Sequence, residues 1–134
     1  MVGTYLMFNG NCRDALKLYE KAFNVKIEEI QKYGDMPPNP NFPVSDDMKE
    51  RILHSRFVLD GMEIMCSDSS DETQMGDNMY ITLTTKDEKI IMYAWNVLKE
   101  SGNIYMELQP TFFSLYHGSL MDKFGINWMF TVLK

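Results

Sequence analysis

One order of apolar patterns occurs twice along this chain, and that repetition narrows the possible folds more than any other property of the sequence. In the first half, Tyr5-Leu6-Met7-Phe8 is a short apolar run that suits a buried strand, and Asn9-Gly10-Asn11 breaks it. From Cys12 to Phe23 the apolar positions Cys12, Ala15, Leu16, Tyr19, Ala22 and Phe23 fall at steps of three and four, which predicts one helical stripe. Asn11 is placed to cap its start and Asn24 to stop it in a left-handed conformation. Three strands are expected next, Val25–Lys32, Arg51–Leu59 and Met62–Ser67. Asp60-Gly61 signals a hairpin between the last two, because both residues tolerate positive φ.

The second half repeats the order. Met79–Thr84 reads as a strand, and Thr85-Lys86-Asp87-Glu88 has capping-box spacing. Ile90, Ile91, Ala94, Val97 and Leu98 form the helical stripe, with Gly102 as its stop. Ile104–Leu108, Phe112–Leu120 and Ile126–Leu133 are the remaining strands, with Gly125 at positive φ in a turn between the last two. Tyr5 and Tyr19 correspond roughly to Tyr80 and Tyr93. The expected class is therefore α+β, one domain over residues 1–134 built from two βαβββ modules, about 1–72 and about 73–134. A single ferredoxin-like sandwich with a β extension is the alternative, but the duplicated arrangement uses every element once.

With 134 residues, 45% of them hydrophobic and 24% charged, the chain can bury a core without a disulfide or metal. Thirteen basic residues are scattered among nineteen acidic ones, for a net charge of -6. Phosphate-binding surfaces need clustered Lys and Arg, so neither nucleic acid nor anionic membrane is expected as a partner. No apolar run approaches the roughly 20 residues that span a bilayer. The opening Met1–Tyr5 lacks a basic and an apolar signal region, which predicts a cytoplasmic protein whose Cys12 and Cys66 are buried free thiols.

The connection from Tyr33 to Glu50 holds four of the five prolines, in Met36-Pro37-Pro38-Asn39-Pro40-Asn41-Phe42-Pro43. Proline suppresses helix and central strand alike, so this long segment reads as a lid, a dimer arm or a floppy insertion.

Several stretches resemble the PhnB-like branch of the vicinal-oxygen-chelate (glyoxalase/bleomycin-resistance/dioxygenase) superfamily. They are Tyr5–Cys12 with Asp14-Ala15-Leu16 and Tyr19, Leu53-His54-Ser55, Met65-Cys66-Ser67-Asp68, Leu108–Phe113 and Gly118–Met129. The resemblance implies two βαβββ modules whose mixed sheets curl into half-barrels around a cavity, commonly in a homodimer. It also implies a divalent metal in many of the wider relatives, with ligands from the first strand of each module and from the last. Here those slots offer Thr4, Tyr5 or Met7, then Asn78, Met79 or Tyr80, then Trp128, Met129 or Phe130. None is His, Asp or Glu, so no metal and no other cofactor is expected. Sequences of this branch often carry the name 3-demethylubiquinone-9 3-methyltransferase. A methyltransferase using S-adenosylmethionine in the usual way needs a parallel α/β sheet with a Gly-rich turn, and no two of the eight glycines fall at G-x-G spacing.

The expected function is thus metal-independent binding of a small molecule. Twelve methionines and an aromatic fraction of 13% suit a flat or apolar ligand. Met7, His54, Met65, Tyr80, Gln109, Phe113, Tyr116 and Trp128 are the candidate lining residues, though each is as readily a core residue. The alternative is an enzyme, of lyase, isomerase or dioxygenase type, on a small apolar or thiol-bearing substrate. His54 would then be acid/base and Asp68 its orienting carboxylate; the plainer reading makes His54 an interior group and Asp68 the start of the acidic loop through Glu72. His117 reads as a surface residue near a turn, and a Cys66–His54 pair is conceivable. A third possibility is a regulatory partner protein using the proline-rich loop.

Overall fold

The opening apolar run forms strand β1, Thr4–Phe8, in which alternate residues Leu6 and Phe8 are buried. The predicted stripe forms helix α1, Cys12–Phe23, and buries Cys12, Ala15, Leu16, Tyr19 and Ala22. Strands β2 (Glu28–Lys32), β3 (Ile52–Leu59) and β4 (Met62–Asp68) complete the first set. These four strands make one sheet in the order β1-β4-β3-β2, with β1 parallel to β4 and the other pairs antiparallel. The Tyr19 ring lies 6.0 Å from Phe57, which puts α1 on the face that carries Phe57, Ile64 and Cys66. Each such fully buried side chain stabilises the fold by about 1.5–3 kcal/mol.

Strand β5 (Ile81–Thr85), helix α2 (Glu88–Leu98) and strands β6 (Asn103–Gln109), β7 (Tyr116–Met121) and β8 (Asn127–Val132) repeat the plan. Their sheet runs β5-β8-β7-β6, again with the first strand parallel to the last. Ile91, Ala94, Trp95 and Leu98 of α2 are buried, and the Trp95 ring meets Phe130 of β8 at 6.3 Å. The computed structural model describes residues 1–134. By contacts the chain forms two units, Met1–Glu20 with Asn24–Thr73, and Lys21–Phe23 with Gln74–Lys134.

Several local expectations are met. Asn24 is left-handed (φ 52°, ψ 44°), and Asp60 and Gly61 both take positive φ in the β3–β4 hairpin. Gly125 does the same in the turn before β8.

Others are corrected. The Asn11 side chain makes no capping bond to α1. Asp87, not Thr85, caps α2, with its carboxylate accepting from Lys89 N while Thr85 Oγ1 accepts from Asp87 N. The left-handed residue after α2 is Ser101; Gly102 is needed because a Cβ there would sit 2.6 Å from Met121 O. Strand β7 starts at Tyr116, because Pro110 has no N–H to donate and Thr111–Ser114 closes a turn, Thr111 N donating to Ser114 O. Tyr80 precedes β5 instead of lying within it, unlike Tyr5 in β1.

The proline-rich segment is folded. Tyr33–Asp35 and Asp46–Met48 are single 3-10 turns, and Tyr33 N and Gly34 N donate to Arg51 O and Lys49 O, closing its ends. The buried Tyr33 hydroxyl donates to Asp68 O at 2.6 Å.

Candidate functional site

Strand alternation sends every second side chain of the first sheet to the face opposite α1. Register aligns Tyr5 with Met65 and Met7 with Ser67, and pairs Arg56 with Met65, so these five share that face. Tyr5 Oη donates to Ser67 Oγ at 2.9 Å, and Ser67 Oγ donates to Met7 Sδ at 3.3 Å. Beside this row, Arg56 pairs with Glu63 at 3.0 Å and with Glu28 of β2. His54, two residues before Arg56 on the same face, faces Glu29: Nε2 and Oε2 are 3.8 Å apart. The result is a polar and thioether surface with one imidazole.

Asp68 does not join His54. It shares the parity of Ile64 and Cys66, so its side chain points to the covered side, where it is 1% exposed. There Oδ1 accepts from Gly10 N at 2.8 Å and Cys12 N at 3.0 Å, and Oδ2 accepts from Ile52 N at 2.8 Å. It therefore replaces Asn11 as the acceptor at the start of α1, and neither the base–orienter role nor the solvated-loop reading holds.

The same parity separates Cys66 from His54, since Cys66 opposes Ser55 on the covered face. Both cysteines are free and fully buried. Burial first, and then the Asp68 carboxylate, pushes the Cys12 thiol up to about 12, and burial pushes Cys66 higher. A Cys–His nucleophile does not form.

In the second sheet, register sets Thr82 beside Met129, Met129 and Met106 beside Ser119, and Thr131 beside His117 on the face opposite Phe130. His117 Nδ1 lies 2.9 Å from Thr131 Oγ1, and the Phe113 ring stands edge-on to it at 5.2 Å. Gln109 opposes His117 and is exposed, its Nε2 donating to Glu107 O. Sequence reading missed His117 as part of this face; its alternation with Gly118 and Leu120 was the available signal. Tyr80 is half-buried, edge-on to Tyr105 at 6.0 Å.

Two candidate lining residues lie on the helix side of their sheet instead. Trp128 is 0% exposed between Phe23, at 4.8 Å, and Phe130, and its Nε1 donates to Asp122 Oδ2. Tyr116 opposes Val132 on the helix side of its strand and is half-buried. Met7, His54 and Met65 thus share one face of the first unit, while Gln109 and Phe113 accompany His117 in the second.

A divalent cation of the kind expected from the sequence resemblance needs about three N or O donors that converge. No three His, Cys, Asp or Glu side chains do so. Thr4, Tyr5 and Met7 on β1 and Met129 on β8 provide hydroxyl and thioether groups in place of imidazole and carboxylate. The residues do not fit such a metal.

Comparison with known proteins agrees with this architecture. Residues 1–131 match the family model described as 3-demethylubiquinone-9 3-methyltransferase. Protein YjdN of Escherichia coli (strain K12) is 28% identical over 137 residues, 97% of this chain and 93% of that protein. Protein PA1353 from Pseudomonas aeruginosa is 30% identical, superposes with a TM-score of 0.85, and covers 98% of this chain and 96% of its own. A PhnB protein from Bacillus cereus, described as a putative 3-demethylubiquinone-9 3-methyltransferase, is 29% identical with a TM-score of 0.78, covering 97% of each chain. A glyoxylase/bleomycin resistance protein/dioxygenase domain from Frankia sp. EAN1pec shares the fold at 12% identity, with a TM-score of 0.68 over 100% of this chain and 97% of its own. Matched over residues 1–131 by the family model and along nearly its whole length by the Pseudomonas aeruginosa and Bacillus cereus proteins, this chain belongs to the 3-demethylubiquinone-9 3-methyltransferase-like (PhnB) family.

Proposed function

We propose that this protein binds a small molecule of flat or apolar character, without a metal, on the sheet faces opposite its helices. The observation that carries the reading is the surface formed by Tyr5, Met7, His54, Met65 and Ser67. Thioethers adapt to apolar shapes, while the phenol, hydroxyl and imidazole supply orientation. The family description names a methyltransferase. An S-adenosylmethionine site of the usual type needs a doubly wound parallel sheet opened by a Gly-rich turn. Here the parallel pairs are β1–β4 and β5–β8, each within an otherwise antiparallel sheet, so these residues do not fit that cofactor.

A homodimer accompanies this reading, supported by large apolar side chains left exposed, Phe112 at 92% and Met79 at 78% among them. So does a cytoplasmic setting, supported by two free buried thiols; no helix is long and apolar enough to cross a membrane.

The deciding experiment is metal analysis of the purified protein, with thermal shifts on adding Zn²⁺, Ni²⁺, Mn²⁺ and Fe²⁺ and, separately, a panel of flat aromatic compounds. A ligand at 100 times its dissociation constant adds about 2.7 kcal/mol of stability. Shifts from the organic panel that shrink in Met65→Lys, with none from the metals, are expected. Stoichiometric metal with a positive shift overturns the proposal.

A second reading, an enzyme using His54 as acid/base, is favoured by the Glu29 carboxylate 3.8 Å from Nε2. Under it, His54→Gln keeps ligand affinity and loses turnover; loss of affinity alone returns His54 to a binding role.

A further inference from the structure

The proline-rich segment between Tyr33 and Glu50 walls two adjoining open depressions of about 570 Å³ and about 620 Å³. Both are bordered by Tyr33, Phe42, Pro43 and Val44. The Tyr33 and Phe42 rings are parallel within 11°, with centroids 6.4 Å apart, so the shared wall is aromatic. The ring of Phe42 is 47% exposed and offers its outer side to a ligand. Prolines on this wall hold the backbone in place, which lowers the entropy lost when something binds against it.

The second depression reaches Arg51. Arg51 is half-buried, and of its guanidinium only Nη1 makes a hydrogen bond, donating at 3.3 Å to Asn9 Oδ1 and at 3.3 Å to Ser69 O. Both acceptors are neutral. Arg51 takes part in no ion pair, whereas Arg56 of β3 meets Glu28, Glu29 and Glu63. That is conspicuous in a chain with nineteen acidic and thirteen basic residues. Gly10, at φ +92°, lies against the same group: a Cβ there would be 3.4 Å from Arg51 Cζ and Nη2. Asp47 borders the same depression; its carboxylate is held first by the Ser45 hydroxyl and its own backbone N–H, and more weakly by the Arg51 charge, with which it forms no direct ion pair.

We propose that this loop is a second ligand site, separate from the sheet faces, that takes a planar aromatic carboxylate. The ring stacks on the Phe42 and Pro43 wall, and the carboxylate accepts from the Nε and Nη2 N–H groups of Arg51. A guanidinium presents those two donors side by side, in the spacing of the two carboxylate oxygens. Aromatic stacking supplies the remainder of the affinity and excludes water from the pair.

The test is calorimetric titration with 2-naphthoate and with its neutral counterpart 2-naphthalenemethanol. Saturable binding of the acid at least about 10-fold tighter than the alcohol is expected, since a desolvated charge-assisted pair contributes about 1.4 kcal/mol or more. Arg51→Gln should abolish that preference, and Phe42→Ala should weaken both compounds. His54→Ala, on the sheet face already assigned to the proposed function, should leave the preference for the acid over the alcohol in place. Phe42 is exposed, so its variant remains informative should Arg51→Gln fail to fold. Absence of saturable binding, or binding indifferent to both loop variants, overturns the site; sensitivity to His54→Ala assigns the acid to the sheet face instead.

Discussion

Cys12 and Cys66 carry a pH signature into the fold. An ordinary thiol titrates near 9.0, and burial with the adjacent Asp68 charge raises Cys12 to about 12, against the smaller opposing pull of Ser55 and Arg13. Raising an acid's pKa on folding favours the neutral thiol in the native state. The unfolded chain therefore binds fewer protons above pH 9, and stability falls as pH climbs from there towards 12. The loss amounts to about 4 kcal/mol, with none of it incurred well below pH 9 and all of it above about pH 12. Alkaline unfolding followed by circular dichroism should show this decline in the wild type and a shallower one in Cys12→Ala, while Ellman's reagent at pH 8 labels neither thiol until denaturant is added. Rapid labelling of the native protein would contradict the burial on which this account rests. Their buried state was legible from the sequence because both sit on apolar periodic positions. Which carboxylate stands beside Cys12 was not, since Asp68 lies fifty-six residues away along the chain.

Asp68 is also where the elements of the first unit are tied. One carboxylate accepts from the β1–α1 turn at Gly10, the first residue of α1 at Cys12 and the first of β3 at Ile52, and its own carbonyl receives Tyr33. Removing it leaves buried N–H groups unpaired, each a loss of about 1–3 kcal/mol. Urea denaturation of Asp68→Ala should show a loss on the order of 3 kcal/mol or more, and Asp68→Asn a smaller one, because the amide keeps one oxygen acceptor. A loss under about 1 kcal/mol for the alanine variant would mean the tie is dispensable. Sequence spacing pointed to Asn11 and Thr85 as caps because local side chains are the usual suppliers. In the first helix a distant strand end supplied the acceptor; in the second, Asp87 stood closer to the donors than Thr85 did.

The proposed dimer is a question for the whole molecule. Exposed apolar groups such as Phe112 and Met79 favour covering by a second copy, while the net charge of -6 limits non-specific association. Sedimentation velocity at micromolar concentrations should give a single species of twice the 15.7 kDa protomer. A protomer-sized species at every concentration removes the dimer from the proposal.

The βαβββ order, its duplication and the poor metal-donor set were decided by local chemistry: apolar periodicity selects helix or strand, turn residues punctuate them, and ligand types are read directly from the slots. What depended on tertiary structure was the side of each sheet that a side chain occupies. A strand's side-chain period is two, so small differences in where β7 and β8 start and pair send Tyr116 and Trp128 to the helix side and His117 to the other. His54 and Asp68 were expected as partners, and the parity of their strands sends them to opposite faces. The folding of the proline-rich segment around Tyr33 was likewise tertiary, because its anchors are the Asp68 carbonyl and the backbone at Lys49 and Arg51, groups that only the assembled sheet brings within reach.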